Sequence, residues 1–293
     1  MRREIHFTQL GATLFVPAIH KNILSIIGHT KYPNLKSVVI DTEDGIDEAK
    51  ISESKEIVKN LLLSYKQTKL LVFVRPKNIE VLEEFLSYEF IDKIDGFILP
   101  KFSLDNTDKY LELLQATKHY IMPSIEGKEL FNTQSLVELK NRLEPLREKI
   151  ILVRFGLEDM LRQLSMKREC SDSIFDFSVT SSVLGNFLAV FKSAGFGVSG
   201  GVYPCFKDRA GFIDDAKRDL KEGLFSKTII HPSQIDILHD VYKVSQKEYY
   251  DAKLLIENSL SIINLNGTMG EGKTMSPHSH LILKRAEIYG VIQ

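Results

Sequence analysis

Only two of the 293 residues are cysteines, Cys170 and Cys205. So small a number leaves no disulfide framework and no four-cysteine zinc site. Cys205 has no histidine near it in sequence to activate it, so a packed, inert thiol is expected there. Long apolar runs are missing as well: none approaches the 18 or so residues of a membrane-spanning helix, and Met1-Arg2-Arg3-Glu4-Ile5-His6 does not lead into a signal-peptide core. Charge of one sign is also lacking, with 38 basic against 39 acidic residues and a net charge of −1. That balance supplies no long-range attraction for nucleic acid or an anionic membrane, so neither is expected as a partner. A soluble, cytoplasmic protein is expected, and any anionic ligand must be held by a local cluster.

What is present is ordinary globular material: 43% hydrophobic and 26% charged residues, enough to bury a sizeable core. Short β-branched apolar runs recur at intervals of roughly 25 to 45 residues. They are Ala12–Ala18, Ser37–Asp41, Leu70–Arg75, Gly96–Lys101, Tyr120–Glu126, Ile150–Gly156, Gly197–Tyr203 and Thr228–His231. Near-continuous apolar character over four to seven residues is what a parallel strand covered on both faces requires. Between them lie segments of helical spacing with charged faces, such as Asp47–Tyr65, Ile79–Ile91 and Asp208–Leu224. Eight strand–helix units predict an α/β fold of the (β/α)8 barrel type over residues 1–244. An open doubly wound sheet is the alternative, but no Gly-x-Gly-x-x-Gly follows the first strand. Residues 245–293 read as a C-terminal appendage: a helix from about Ser245 to Ile262, a Gly-rich turn, and a last helix near His280–Tyr289.

Barrel enzymes work at the C-terminal ends of their strands, where the loops converge. Those positions here are strongly charged: Asp41-Thr42-Glu43-Asp44, Arg75, Lys101, Glu126 and Glu158-Asp159, with Tyr203 and His231 ending the last two strands. Singly, Asp44 and Asp159 read equally well as helix N-caps. Together, so many carboxylates around one mouth repel unless a cation or substrate organises them. Magnesium, or manganese in its place, suits hard oxygen ligands and takes one or two carboxylates plus water and substrate. Arg75 ends a very apolar strand, and its planar fork fits either a substrate carboxylate or an internal partner such as Glu43 or Asp44.

Two other patterns carry less. Gly267-Thr-Met-Gly-Glu-Gly-Lys-Thr274 matches the phosphate-loop string, yet only 19 residues follow Thr274 and Pro277 stands three positions on. A hairpin turn explains it better than a nucleotide loop. His278 and His280 are read as surface residues entering a helix.

The chain resembles the citrate lyase beta subunit and the wider HpcH/HpaI aldolase family, which includes malyl-CoA lyases. The resemblance runs from about Thr13 to Tyr289. It rests on Leu14-Phe-Val-Pro17, Asp41-Thr-Glu-Asp-Gly45, Val74-Arg75, Leu99-Pro-Lys101, Ile125-Glu126, Phe155-Gly-Leu-Glu-Asp159 and Ile230-His-Pro-Ser-Gln234. It implies a magnesium-dependent (β/α)8 barrel, trimeric or hexameric, that makes or breaks a carbon–carbon bond in a small oxo or hydroxy acid or its CoA thioester. By position it makes Glu126 and Asp159 the metal ligands and Arg75 the arginine for the substrate acid and its enolate. Glu43 or Asp44 is then the candidate base, and Asp41 and Lys101 further substrate contacts. The departures are Ala18 in the strand-1 loop, Cys205 where Asp is frequent, and Ser276 where condensing or hydrolysing members carry Asp. All lie on the cofactor side, which points toward a different, CoA-free acid or, as the alternative, a non-catalytic metabolite-binding barrel of the same family.

Overall fold

The computed structural model describes residues 3–292. Seven strands run parallel: β1 (Thr13–Pro17), β2 (Ser37–Asp41), β3 (Leu71–Arg75), β4 (Gly96–Leu99), β5 (Tyr120–Ile125), β6 (Arg154–Phe155) and β7 (Thr228–Ile229). Their order is β6-β5-β4-β3-β2-β1-β7, and Val38 of β2, for example, lies between Leu14 and Val72. Every residue of β2, β3, β4 and β5 is buried, as strands covered on both faces must be.

The expected strand over Gly197–Tyr203 needs correction, because it is a short irregular stretch with one regular bridge, Val153 to Val198. It still closes the barrel. Val153 N donates to Gly197 O (2.9 Å) and Ser199 N to Val153 O (3.2 Å), while Phe225 N donates to Val198 O (3.0 Å) and Thr228 N to Gly200 O (3.2 Å). Residues 197–200 thus fill the eighth place between β6 and β7, and the fold is a (β/α)8 barrel. The stretch packs closely on its surroundings: a Cβ on Gly200 would lie 2.2 Å from Asp219 Oδ2.

Helices cover the strands because their apolar faces repeat at helical spacing. In α3 (Ile79–Leu86), Asn78 caps the start by accepting from Val81 N at 3.0 Å, and Val81, Leu82 and Phe85 turn inward. The other covering helices include α2 (Ile51–Ser64), α4 (Thr107–Gln115), α5 (Thr133–Leu143), α6 (Leu157–Gln163), α7 (Ser178–Ser193) and α8 (Arg209–Glu222). The barrel core is built from Val39, Phe73, Ile98, Met122 and Leu152, with the half-buried Phe15 packed against it.

The two cysteines are the second correction. Cys170, after α6, and Cys205, before α8, form a disulfide with their Cα atoms 5.8 Å apart. They are 35 positions apart in sequence, and only barrel closure brings the two loops together. Closing a loop of this length removes about 3–4 kcal/mol of unfolded-chain entropy. Dithiothreitol, or Cys170→Ser, is therefore expected to lower the thermal midpoint by several degrees; identical melting curves would refute that contribution.

A smaller compact unit begins at Asp236 and the barrel unit runs to Ile235. In the smaller unit, the helix Gln246–Glu257 starts at a capping box of Ser245 and Glu248. It stops short of the expected Ile262, since Ile262–Leu265 pairs antiparallel with Thr268–Glu271 around Asn266 and Gly267. Both turn residues have positive φ (51° and 91°), the Asn-Gly hairpin geometry. The last helix also starts earlier than expected, spanning Gly272–Tyr289 and running through Pro277. Proline there removes one intrahelical bond, and Ser279, Ile282 and Ala286 bury the face that offsets the loss. His278 and His280 are exposed on it.

Candidate active site

A cavity of about 460 Å³ opens at the C-terminal ends of the strands. Register alone brings Asp41 and Arg75 together, because they are paired at the ends of β2 and β3. Arg75 Nε and Nη2 donate to the two oxygens of Asp41 at 2.7 and 2.5 Å. Its third nitrogen, Nη1, lies 2.8 Å from Glu43 Oε2 and 2.9 Å from Asp44 Oδ2. Burial alone would lower the Arg75 pKa, but the Asp41 hydrogen bonds and the three negative charges outweigh it and push it up. The internal partner considered from sequence is therefore present, enlarged to three carboxylates. Asp41 clamps the arginine, while Asp44, with an exposed side chain, is the most accessible of the three.

Glu43 and Lys101 stand beside the cavity, outside its lining, paired at 3.0 Å. Burial holds the Glu43 carboxyl above its usual range, against the pull of Arg75. Lys101 does a second thing with its backbone. Its φ of +47° is uncommon for a residue with a side chain, and it turns the Lys101 N–H onto Glu126 Oε1 at 2.7 Å.

Glu126, just after β5, and Asp159, in the first turn of α6, both line the cavity. Glu126 is 8% exposed. Burial, then the nearby charges of Glu43 and Asp159, push its pKa up to about 7. Asp159 pairs with Arg162 at 2.6 Å and is not an N-cap, a place taken by Gly156. Gly156 has a packing role: a Cβ there would lie 2.1 Å from Glu126 Cβ, so only glycine lets α6 start against the Glu126 side chain.

Among the described residues, no three His, Cys, Asp or Glu side chains converge as a ready-made metal cluster. A two-carboxylate, oxygen-only pair is nevertheless a donor set that fits magnesium, which completes its shell with water and substrate. The raised pKa of Glu126 fits too, since excess negative charge in a buried wall is what a cation relieves.

One cavity residue escaped the sequence reading. Arg154, the first residue of β6, is 4% exposed, and its Nη2 donates to the Thr228 hydroxyl while its Nη1 has no hydrogen-bond partner. Its guanidinium carbon lies 5.0 Å from the Phe15 ring centre, and that of Arg75 lies 5.1 Å from the same centre. The signal was present, because Ile-Leu-Val-Arg154 repeats the apolar-run-then-arginine pattern of Val-Phe-Val-Arg75. Tyr203 and His231, by contrast, do not line the cavity; the Tyr203 hydroxyl donates to Asp208 (2.8 Å), and the His231 ring stacks on Phe206.

Comparison with known proteins agrees with this architecture. The citrate lyase subunit beta of Escherichia coli (strain K12) is 28% identical over 204 residues, covering 64% of this chain and 66% of that one, just under two thirds of its length. The subunit from Haemophilus influenzae is 24% identical over 294 residues, 94% of this chain and 96% of the relative. Among solved structures, protein CitE from Mycobacterium tuberculosis, in complex with magnesium, acetoacetate and coenzyme A, superposes with a TM-score of 0.70. It is 18% identical and covers 94% of this chain and 98% of its own, which establishes likeness of fold. The family described as C-C bond lyase of the TIM-barrel fold matches residues 4–291. With its strand-end carboxylates, clamped arginine and closed barrel, the chain belongs to the C-C bond lyase family of the TIM-barrel fold.

Proposed function

We propose that the protein is a magnesium-dependent carbon–carbon lyase that cleaves or condenses a small oxo or hydroxy acid, free or as its CoA thioester. The observation that carries this reading is Glu126, a buried carboxylate raised to about 7 beside Asp159 in the strand-end cavity. Magnesium seen with acetoacetate and coenzyme A in the M. tuberculosis relative supports a magnesium site here. Glu126 and Asp159 would hold the ion. When bound it supplies a Lewis acid for an oxo or carboxylate oxygen.

The chain's own groups do the rest. Lys101 N–H fixes one oxygen of Glu126, which lines the cavity. Asp41 holds the Arg75 fork rigid, so that its Nη1 edge can meet charge developing on a substrate oxygen once Asp44 moves aside. Asp44, the exposed member of the cluster, is the candidate to take a proton, and it can swing off Arg75 at small cost because its ion pair is open to water. Glu43, buried between Arg75 and Lys101, orders this pair from behind. Phe15 seals the cavity floor against the core. Ala18, Cys205 and Ser276 depart from the family's cofactor side and favour a CoA-free acid. Homo-oligomeric assembly as a trimer or hexamer and a cytoplasmic location belong to the same reading; in that compartment Cys170 and Cys205 would meet reducing conditions.

The test is to incubate the protein with hydroxy acids and their CoA thioesters, with and without Mg²⁺, and follow oxo-acid release by NMR. Metal-dependent product is expected, and its absence across both classes would overturn the reading. A pH signature accompanies it. The folded pKa of Glu126 exceeds its unfolded value of about 4.3, so the metal-free fold loses stability as pH rises from there through about 7, by on the order of 3 kcal/mol. Mg²⁺ offsets that loss only once Glu126 is ionised. The Mg²⁺-induced rise in thermal midpoint is therefore expected to be larger at pH 8 than at pH 6, and an equal rise at both would count against Glu126 as ligand.

A further inference from the structure

Two arginines flank the same ring at the cavity floor, and their electrostatic situations are opposite. Arg75 is saturated, with carboxylates on its Nε, Nη1 and Nη2 nitrogens. Arg154 has no carboxylate within ion-pair distance among the described residues, although it is more deeply buried. Its one hydrogen bond to a side chain goes to the neutral Thr228 hydroxyl, and Nη1 is orphaned. A guanidinium kept in such a place is costly, because burial removes its water and one neutral hydroxyl replaces only part of it. Burial, reinforced by the like charge of Arg75, pushes its pKa down to about 9, with Glu126 offsetting part of the shift.

We infer that Arg154 is the docking point for a second acidic group of the substrate, so that the lyase acts on a dicarboxylic oxo or hydroxy acid in preference to a monocarboxylic one. This inference rests on the proposed lyase reading and specifies its substrate class. The geometry argues for it in three ways. An incoming carboxylate at Arg75 must compete with Asp41, Glu43 and Asp44, whereas at Arg154 it meets an open donor. Glu126 and Asp159 line the same cavity, so one end of a short diacid can face the metal pair while the other end faces Arg154. Ser124, the register partner of Arg154 on β5, also lines the cavity and adds a hydroxyl. Arg154 is a substrate-positioning group that takes no part in proton or electron transfer, and its charge is satisfied only in the complex.

Titration calorimetry with oxaloacetate and pyruvate in the presence of Mg²⁺, and with malonate and acetate in its absence, tests this. The wild type is expected to bind the dicarboxylate of each pair roughly tenfold or more tightly, the usual size of a charge-assisted hydrogen bond. Arg154→Met is expected to erase that preference while leaving Mg²⁺-dependent pyruvate binding within about twofold, and Arg154→Lys to restore part of it. Arg154→Met is also expected to melt no lower than wild type, because an unpaired buried charge is removed. Should it fail to fold, Arg154→Lys, which keeps the charge and loses the two-point donor fork, carries the same test with a smaller loss of preference. Mg²⁺-dependent oxo-acid binding with the preference intact in Arg154→Met would overturn this inference and leave the lyase reading standing. No oxo-acid binding with Mg²⁺, together with an Arg154-dependent preference for malonate, would overturn the lyase reading and leave the anion site. Equal binding of all four acids by wild type would overturn the inference outright.

Discussion

Glu126→Gln and Asp159→Asn are each expected to abolish Mg²⁺-dependent turnover, by roughly 10³-fold or more, and to remove the Mg²⁺-induced rise in thermal midpoint. The two variants should differ without metal. Glutamine at 126 keeps an oxygen for the Lys101 N–H and removes a carboxylate that resists ionisation, so the metal-free protein at pH 8 is expected to gain stability. Asparagine at 159 removes an ion pair with the exposed Arg162, and such pairs are worth at most about 1 kcal/mol. A structural role for these carboxylates predicts the reverse pattern, with both variants less stable and the metal response retained. Differential scanning fluorimetry over pH and Mg²⁺ concentration separates the two outcomes in one data set.

Arg75→Met is expected to damage both stability and activity. It leaves the buried Asp41 without its cation and the buried Glu43 with Lys101 alone, a cost of about 3–5 kcal/mol for an ion pair broken from one side. Activity should vanish even below the unfolding temperature, since the donor edge facing the developing charge is gone. Arg75→Lys keeps the charge and loses the two-point contact with Asp41, so stability is expected to recover in large part and activity little. Pairing Arg75→Met with Asp41→Asn should restore a fraction of the lost stability, because one stranded charge goes with its partner. Urea denaturation of the four proteins decides this; a stability of Arg75→Met equal to that of wild type would show that the cluster is not an ion-pair network.

The same cluster shows how far a linear reading reaches. Arg75 was legible because an arginine closing an apolar strand stands out against its neighbours, and barrel strands all deliver their ends to one mouth. Arg154 ends the apolar run Ile151–Val153 in the same way, but β6 begins at it and the two acids that follow, Glu158 and Asp159, are the stronger charge signal of that strand end. Lys101 was legible as a charge at a strand end, but its backbone service to Glu126 depends on a positive φ that no residue type announces. The cysteines were misjudged for a related reason. Their spacing of 35 positions says nothing of contact until the loops after α6 and before α8 are set side by side. Pro277 misled in the other direction, because local propensity forbids what the buried face of the last helix imposes.

The sequence by itself determined the alternation of strand and helix and the ring of charged strand ends. Those features follow from periodicity and from a rule of barrel geometry that holds whatever fills the loops, whereas singling out Glu126 and Asp159 within the ring took the family resemblance. Tertiary structure alone decided which charges are satisfied. Whether an arginine meets three carboxylates, as Arg75 does, or a single hydroxyl, as Arg154 does, depends on register across β1, β2, β3 and β6 and on burial in a shared cavity. Desolvation and Coulomb energy are properties of that assembled neighbourhood, and for this protein they separate the clamped arginine from the open one.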